Sequence, residues 1–167
     1  MQIKNGALAP TPPAGLNNAA GLVYHYTTEH HHLPLILAAG ELRPSNAGAE
    51  HETPLLWFSR ATRWEATATK MVTAPNGPRL LTFKEQLSTF GCVRFSLRAD
   101  DPRLLKWVDA CKAAGMSSTT RRKLETVGRK RGGSPSDWVA LRGAVSLADV
   151  RLQRYDGSAW VEVLLCL

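Results

Sequence analysis

The chain has few cysteines and no long apolar run, and each shortage excludes a class of protein. Its three cysteines, Cys92, Cys111 and Cys166, are far apart and odd in number, so they suit neither a disulfide framework nor a Cys-x-x-Cys metal site. We therefore expect a reducing, cytoplasmic setting. No apolar stretch is long enough to span a bilayer, and residues 1–15 lack the apolar centre of a signal peptide. Hence no membrane partner is expected.

Acidic residues are also scarce relative to basic ones. There are 14 Asp and Glu against 21 Lys and Arg, which gives a formal net charge of +7. Such an excess raises encounter rates with polyanions. The composition therefore favours either a nucleic acid or a phosphorylated small molecule as a partner, and does not choose between them.

The length of 167 residues favours a single domain. Residues 1–20 are rich in proline and small residues and predict a flexible N-terminal arm, so the domain is expected to span residues 21–167. Strand and helix patterns alternate at first, and strands dominate the end, which is typical of an α+β fold. The expected later elements are a helix from Thr62, strands at 79–83 and 92–97 around a polar connection at 84–89, a helix from Pro102 to Gly115, a helix at 117–131, and strands at 138–142, 150–155 and 160–165. The last strand is so apolar that a central place in the sheet is expected.

The most informative stretch is residues 22–42, LVYHYTTEHHHLPLILAAGEL. Residues 22–26 are rich in aromatic and branched side chains, as strands are. Thr27 and Thr28 are suited to cap a helix, whose apolar side would be formed by residues 33, 36 and 37. Gly40 is a typical C-terminal stop. A polar ring at a strand end beside a helix N-terminus suits an anionic or nucleotide ligand.

Three segments carry a resemblance to a known family. HYT at 25–27, the helix LPLIL at 33–37 and GEL at 40–42 together resemble the first motif of ADP-ribosyltransferase-fold proteins, and most of all the DNA-modifying ADP-ribosyltransferase toxins of toxin–antitoxin systems. PLLWFS at 54–59 is similar to the strand that carries the nicotinamide-stacking aromatic. WVAL at 138–141, with VSLADV at 145–150, resembles the C-terminal strands beside the catalytic acid.

This resemblance implies a split, curved β-sheet with flanking helices and a site that binds NAD as a substrate. It implies that His25, with Tyr26 and Thr27 beside it, holds the nicotinamide ribose. Trp57 and Phe58 alternate sides if they lie on a strand, so one is expected in the core and the other in the cleft. The resemblance implies that Phe58, which precedes Ser59, is the one that stacks on nicotinamide, and the alternative is that both are core residues. The implied reaction is release of nicotinamide and transfer of ADP-ribose to a nucleic acid, a protein or water. An antitoxin or immunity protein is an implied partner.

Two acids are candidates for the catalytic role, and a third is expected to line the cofactor pocket. The family places a glutamate at or just before a C-terminal strand, where this chain has Asp137. The side chain of aspartate is one methylene shorter than that of glutamate. A carboxylate displaced by that length can lower the reaction rate considerably. Glu162, within the last strand, is the second candidate, and an exposed strand position is its alternative. Glu65 is the third, lining the pocket from the segment after Ser59.

Arginines and lysines supply the candidates for phosphate binding. Arg94 could contact the pyrophosphate of NAD in a bidentate manner, or it could be an exposed strand charge. A basic stretch could bind nucleic-acid phosphates or be only a solvated surface. It consists of Arg121, Arg122, Lys123, Arg129, Lys130 and Arg131.

No metal is expected, although His30, His31 and His32 are consecutive. Neighbouring helical residues point about a hundred degrees apart, so three of them cannot converge on one tetrahedral ion. The function expected first is thus a metal-free ADP-ribosyltransferase. A catalytically degenerate nucleotide- or nucleic-acid-binding module of the same fold is the alternative, and a related NAD-using transferase that acts on an RNA phosphate is a third.

Overall fold

The structure is a computed structural model that describes residues 21–45 and 49–165. The segment expected to be an N-terminal arm lies outside the described residues. Within them the fold is mixed α/β, as predicted, with a large antiparallel sheet and four α-helices. The strands are β1 (Leu22–Thr27), β2 (Glu41–Leu42), β3 (Leu56–Ser59), β4 (Met71–Ala74), β5 (Gly77–Leu80), β6 (Val93–Arg98), β7 (Leu105–Lys106), β8 (Trp138–Leu141), β9 (Val145–Ser146), β10 (Arg151–Tyr155) and β11 (Trp160–Val163). The helices are α1 (His32–Ala39), α2 (Phe83–Phe90), α3 (Trp107–Ala114) and α4 (Ser118–Lys130).

The main sheet has the strand order β11-β10-β6-β1-β3-β8-β7, and neighbouring strands are antiparallel. β1 pairs with β6 along its whole length. By contrast, β1 pairs with β3 at one position, Tyr24 opposite Ser59. The sheet therefore has a four-stranded part (β11, β10, β6, β1) and a three-stranded part (β3, β8, β7), joined by little pairing.

The two faces of the sheet differ in chemistry, because successive side chains of a strand point to opposite sides. One face, called the core face below, carries the main apolar core, with Val23, Phe95 and Leu141 completely buried. Each such side chain contributes roughly 1.5–3 kcal/mol when it leaves water. The other face, called the aromatic face, carries Tyr24 and Arg94 among its buried residues. The core face holds the fold together, and the aromatic face is where polar groups collect.

α1 lies over the core face, and it begins later than the capping residues predicted. Its first residue is His32, whose N–H donates to the hydroxyl of Thr28 at 3.2 Å, so Thr28 does satisfy one free helix donor. Gly40 ends the helix in the left-handed conformation with φ of 69°, as predicted. Leu37, expected on the buried side, is 43% exposed.

The segment between β3 and β6 differs from the prediction. In place of a helix from Thr62 there is a 3-10 turn at Ala66–Ala68, followed by the hairpin of β4 and β5. The predicted turn at residues 75–78 does connect these strands. α2 replaces the expected polar connection, because Thr82 and Glu85 form a capping box at its N-terminus.

The helix expected to start at Pro102 starts at Trp107 instead. Asp101 accepts a hydrogen bond from the N–H of Arg103 at 2.9 Å, and this side chain closes a turn rather than a helix. β7 then adds an edge strand beside β8 before α3 begins. Gly115 ends α3 in the left-handed conformation, as predicted. The helix expected at 117–131 is α4, and the Ser117 side chain caps it by accepting from the N–H of Thr120.

The last strand is an edge strand, and the expectation that it is central was wrong. Among the described residues β11 pairs with β10 alone. Val163 packs against the core, but Val161 is 47% exposed. The apolar composition of β11 therefore reflects one partly covered face of the strand. It does not indicate a position between two other strands.

Candidate functional site

A cavity of about 670 Å³ opens where β1 and β3 separate, within the range of small-molecule sites of about 300–1,000 Å³. The sheet contributes Tyr24, His25, Tyr26, Trp57, Phe58 and Ser59 to its wall. Trp107 of α3 and Leu124 and Val127 of α4 form much of the opposite wall. The cavity thus brings together the first two segments that resemble the ADP-ribosyltransferase motifs.

His25 is held in one protonation state and one tautomer in this wall. Its Nδ1 is 2.8 Å from the backbone oxygen of Trp57, and a carbonyl oxygen only accepts, so Nδ1 carries the proton. Burial lowers the pKa of His25; the bond to Trp57 opposes this, and the positive charge of Lys70 adds to it. A neutral ring with a proton on Nδ1 leaves Nε2 as a hydrogen-bond acceptor.

The residues next to His25 take different places. Tyr26 lines the cavity, and its hydroxyl donates to the backbone oxygen of Ala61. Burial raises the pKa of Tyr26 to about 12, so it stays a neutral donor. Thr27 is buried at the end of β1 and is not part of the cavity wall. Of these two predicted cofactor contacts, only Tyr26 borders the open space.

Phe58 and Trp57 point to opposite faces, as alternation predicts. Phe58 is 3% exposed and belongs to the main core, and its ring centroid lies 5.8 Å from that of His25 in an edge-to-face arrangement. Trp57 is half-buried on the aromatic face and lies against Trp107 at 5.5 Å between ring centroids. Both touch the cavity, but Trp57 has more free ring surface there.

Glu65 is the buried carboxylate of the cavity wall, with 6% of its surface exposed. One carboxylate oxygen accepts from the Ser59 hydroxyl at 2.6 Å and the Trp138 indole N–H at 3.2 Å. The other accepts from the backbone N–H and hydroxyl of Thr67 at 3.1 and 2.7 Å. All four groups that contact the carboxylate are hydrogen-bond donors, which suits an ionised carboxylate because it can only accept. Glu65 therefore ties the ends of β3 and β8 together at the site.

The two acids predicted to be catalytic lie elsewhere. Asp137 ends a 3-10 turn at Pro135–Asp137, and its backbone oxygen accepts from the N–H of Arg60 at 2.8 Å. Glu162 is exposed on β11, opposite Gln153. Neither residue lines the cavity, which differs from our expectation that Asp137 points into the cleft bordered by His25. The buried acid that does line the cavity is Glu65.

Arg94 is neither a cavity residue nor an exposed charge. It is 5% exposed, and its guanidinium donates to the side chain of Gln153 and the backbone oxygen of Thr62. The same group lies 4.0 Å from the ring centre of Tyr24 and 4.4 Å from that of Trp160. No carboxylate pairs with Arg94 among the described residues. Aromatic faces and neutral acceptors therefore stabilise its charge.

The basic stretch lies on and just after α4, and its residues have separate environments. Arg121 and Arg129 lie 3.6 and 3.8 Å from the carboxylate of Glu125. Arg131 lines the cavity. The remaining three, Arg122, Lys123 and Lys130, are exposed. The stretch is therefore mostly a solvated helix face, with one member at the candidate site.

The three consecutive histidines have three different partners. His30 lies 3.4 Å from the backbone oxygen of Thr89, the ring of His31 packs on Phe90, and Nδ1 of His32 is 2.7 Å from the Thr28 hydroxyl. Over residues 21–45 and 49–165, no group of three or more His, Cys, Asp or Glu side chains is arranged to hold a metal ion. In the same ranges, no helix has the length and apolar character to cross a membrane.

Sequence reasoning missed three residues that build the site. Lys70 and Trp107 line the cavity, and Trp138 both borders it and donates to Glu65. No local sequence pattern identifies these residues as part of a site. The contact between Glu65 and Trp138, for example, joins residues 73 positions apart. The Thr82–Glu85 capping pattern was the one available signal for α2, the helix that supports Lys70.

Comparisons with protein-family models, with curated proteins and with solved structures found no match to this chain at a significant level.

Proposed function

We propose that the protein is an NAD-dependent ADP-ribosyltransferase or NAD glycohydrolase. The observation that carries the proposal is His25, a neutral ring fixed by Trp57 in the wall of a nucleotide-sized cavity. Its Nε2 is suited to accept a hydrogen bond from a ribose hydroxyl. The weak junction of β1 and β3 beside it is consistent with the split sheet that the family resemblance implies.

The aromatic wall suits the nicotinamide ring of NAD, which carries a positive charge. Aromatic faces attract such cations, and the attraction is strongest for tryptophan. Trp57 offers the larger free surface on the predicted strand, and Phe58 supports His25 from the core face. In the proposal Trp57 takes the stacking role first assigned to Phe58.

The reaction breaks the bond between the ribose C1′ and the nicotinamide nitrogen, and nicotinamide leaves with the electron pair. The ribose then carries an oxocarbenium-like positive charge, which a fixed carboxylate stabilises. Water or an acceptor hydroxyl or amine next attacks C1′ and loses a proton. Glu65 is the carboxylate that the cavity offers for this role, held in place by Ser59, Thr67 and Trp138.

The decisive measurement is free nicotinamide after incubation with NAD, alone and with DNA or RNA. We expect Glu65→Gln to lower the rate at least about a hundredfold, because loss of one preorganised electrostatic contact costs about that much. Dissociation of NAD should change little, since the charge acts mainly in the transition state. Glu162→Gln, at an exposed acid, is the matched control. If Asp137→Asn releases no nicotinamide while Glu65→Gln still does, the catalytic acid is Asp137 and not Glu65.

A catalytically inactive binding module is the second candidate. The position of Asp137 and Glu162 outside the cavity, together with the exposed cations of α4, favours it. A wild-type protein that binds NAD or a polyanion, yet releases no nicotinamide under any of these conditions, would establish this function instead.

A further inference from the structure

Two cations in the cavity wall have no carboxylate partner. Lys70 precedes β4, and Arg131 follows α4, so they approach the cavity from separate elements. Among the described residues neither forms an ion pair with an acid. The guanidinium of Arg131 lies 4.0 Å from the sulfur of Met71, the residue next to Lys70. Both side chains thus border one space from neighbouring positions.

The backbone of Lys70 is held firmly on both sides. Its N–H donates to the side-chain oxygen of Gln86 at 2.7 Å, and its carbonyl accepts from the N–H of Leu81 at 3.0 Å. Gln86 is completely buried, and a buried amide is retained only where its hydrogen bonds are satisfied. This anchoring fixes where the lysine enters the cavity.

Arg131 is anchored in a comparable way. Its N–H caps the C-terminal end of α4 by donating to the carbonyls of Val127 and Gly128, at 3.1 and 3.0 Å. Gly128 packs directly under the indole of Trp138, which ties this end of the helix to the cavity wall. The two cations are therefore placed by well-anchored neighbours, and neither forms an ion pair within the described part of the chain.

The other cations at or near the cavity are engaged. Arg43 binds Glu41 at 2.8 Å, and Arg94 is enclosed by aromatic rings away from the cavity. Charge at Lys70 is felt by His25 and His32, whose pKa values burial lowers and the lysine lowers further. Two cations that line a cavity without forming an ion pair among the described residues are suited to a polyanionic ligand group.

We infer that Lys70 and Arg131 form a binding site for the diphosphate group of a nucleotide. A diphosphate spreads negative charge over several oxygens, which match the point charge of a lysine and the forked donors of an arginine. The inference rests on the proposed function in that NAD contains such a group, and it moves the diphosphate contact from Arg94 to these two residues. It also gives Arg131 a role separate from the exposed cations of α4.

The test is isothermal titration with ADP, and with inorganic pyrophosphate as a competitor. Lys70→Gln and Arg131→Gln should each weaken ADP binding about ten- to a hundredfold, the range for one hydrogen bond to a charged group. Lys70→Arg keeps the charge and should retain most of the affinity. Lys84→Gln and Arg142→Gln remove exposed charges and serve as matched controls, and thermal melting verifies that each variant is folded.

The inference fails if ADP binds all four glutamine variants equally, or if the wild type binds neither ADP nor pyrophosphate. Its failure is distinct from that of the proposed function. If ADP binding depends on both cations but no nicotinamide is released, the diphosphate site stands and the transferase does not. If nicotinamide is released while both cavity variants bind ADP like the controls, the transferase stands and the diphosphate site does not.

Discussion

The aromatic face of the sheet is closed over its four-stranded part and open over its three-stranded part. In the closed part Arg94 fills the space between Tyr24 and Trp160, and further aromatic rings seal it. In the open part, α3 and α4 stand over Trp57 and Trp138 and leave the cavity between them. One continuous sheet thus has a sealed region beside a region that can admit a ligand.

The two parts also differ in how their cations are paired. In the closed part the guanidinium of Arg94 has acceptors in Gln153 and Thr62, together with aromatic faces. In the open part Lys70 and Arg131 have no such set of partners. Among the cations of this face, Arg94 therefore has a structural role, whereas Lys70 and Arg131, which line the cavity without an ion-pair partner among the described residues, suit an anionic ligand.

The largest effect is expected from opening the closed part. Arg94→Ala should lower the free energy of unfolding by about 3 kcal/mol or more. The change leaves a void in the closed part, and the buried polar groups that accept from Arg94 lose their hydrogen bonds. Urea denaturation measures this change, and Arg142→Ala, at an exposed arginine, should shift stability by less than about 0.5 kcal/mol. A loss below about 1 kcal/mol for Arg94→Ala would mean that the aromatic face does not depend on this charge.

A smaller effect is expected from closing the open part. A Cβ on Gly128 would lie 2.2 Å from Cη2 of Trp138, so Gly128→Ala should force the indole toward the cavity. Overpacking of this kind costs about 1–3 kcal/mol, although alanine favours a helix more than glycine does. Stability and NAD affinity should fall together, and both are measurable by denaturation and titration.

Thr126→Ala is the matched control for Gly128→Ala, since it changes an exposed position on the same helix. It should leave both stability and NAD affinity near the wild-type values. An unchanged affinity for NAD in Gly128→Ala, with stability lost, would show that the ligand does not reach this end of the cavity.

The smallest effect on stability is expected from a fall in pH. His25 and His32 have pKa values lowered mainly by burial, so the unfolded chain binds protons at a higher pH than the folded protein does. Stability should therefore fall as the pH drops below about 6.5, the usual pKa of histidine. Thermal melting from pH 7.5 to 5 should show a smaller loss in His25→Gln than in the wild type. An equal loss, with exposed His51→Gln as the control, would place the acid sensitivity elsewhere.

Elements with local signals were predicted well. These are β1, Gly40 as a stop, α4 and the closing hairpin, and each depends on residues within a few positions of each other. α2 has a local signal too, its capping box, which the polar composition of residues 84–89 obscured.

Features that depend on distant pairing were not predictable from the sequence. The edge position of β11 follows from which strands meet, and apolar composition does not encode that. The site shows the same limit: His25 was identified through its motif, whereas the contact of Trp138 with Glu65 joins distant segments. Asp137 stands where the resemblance implies an acid, yet it is not among the residues that line the cavity.

The exposed edge at β11 has a consequence for solubility. Its outer backbone groups and the apolar Val161 and Leu164 form a surface on which another copy could add a strand. Glu162 stands in the middle of this edge. Two copies paired antiparallel about this residue would bring like charges face to face, which is unfavourable. A single carboxylate in this strand therefore disfavours that edge-to-edge pairing.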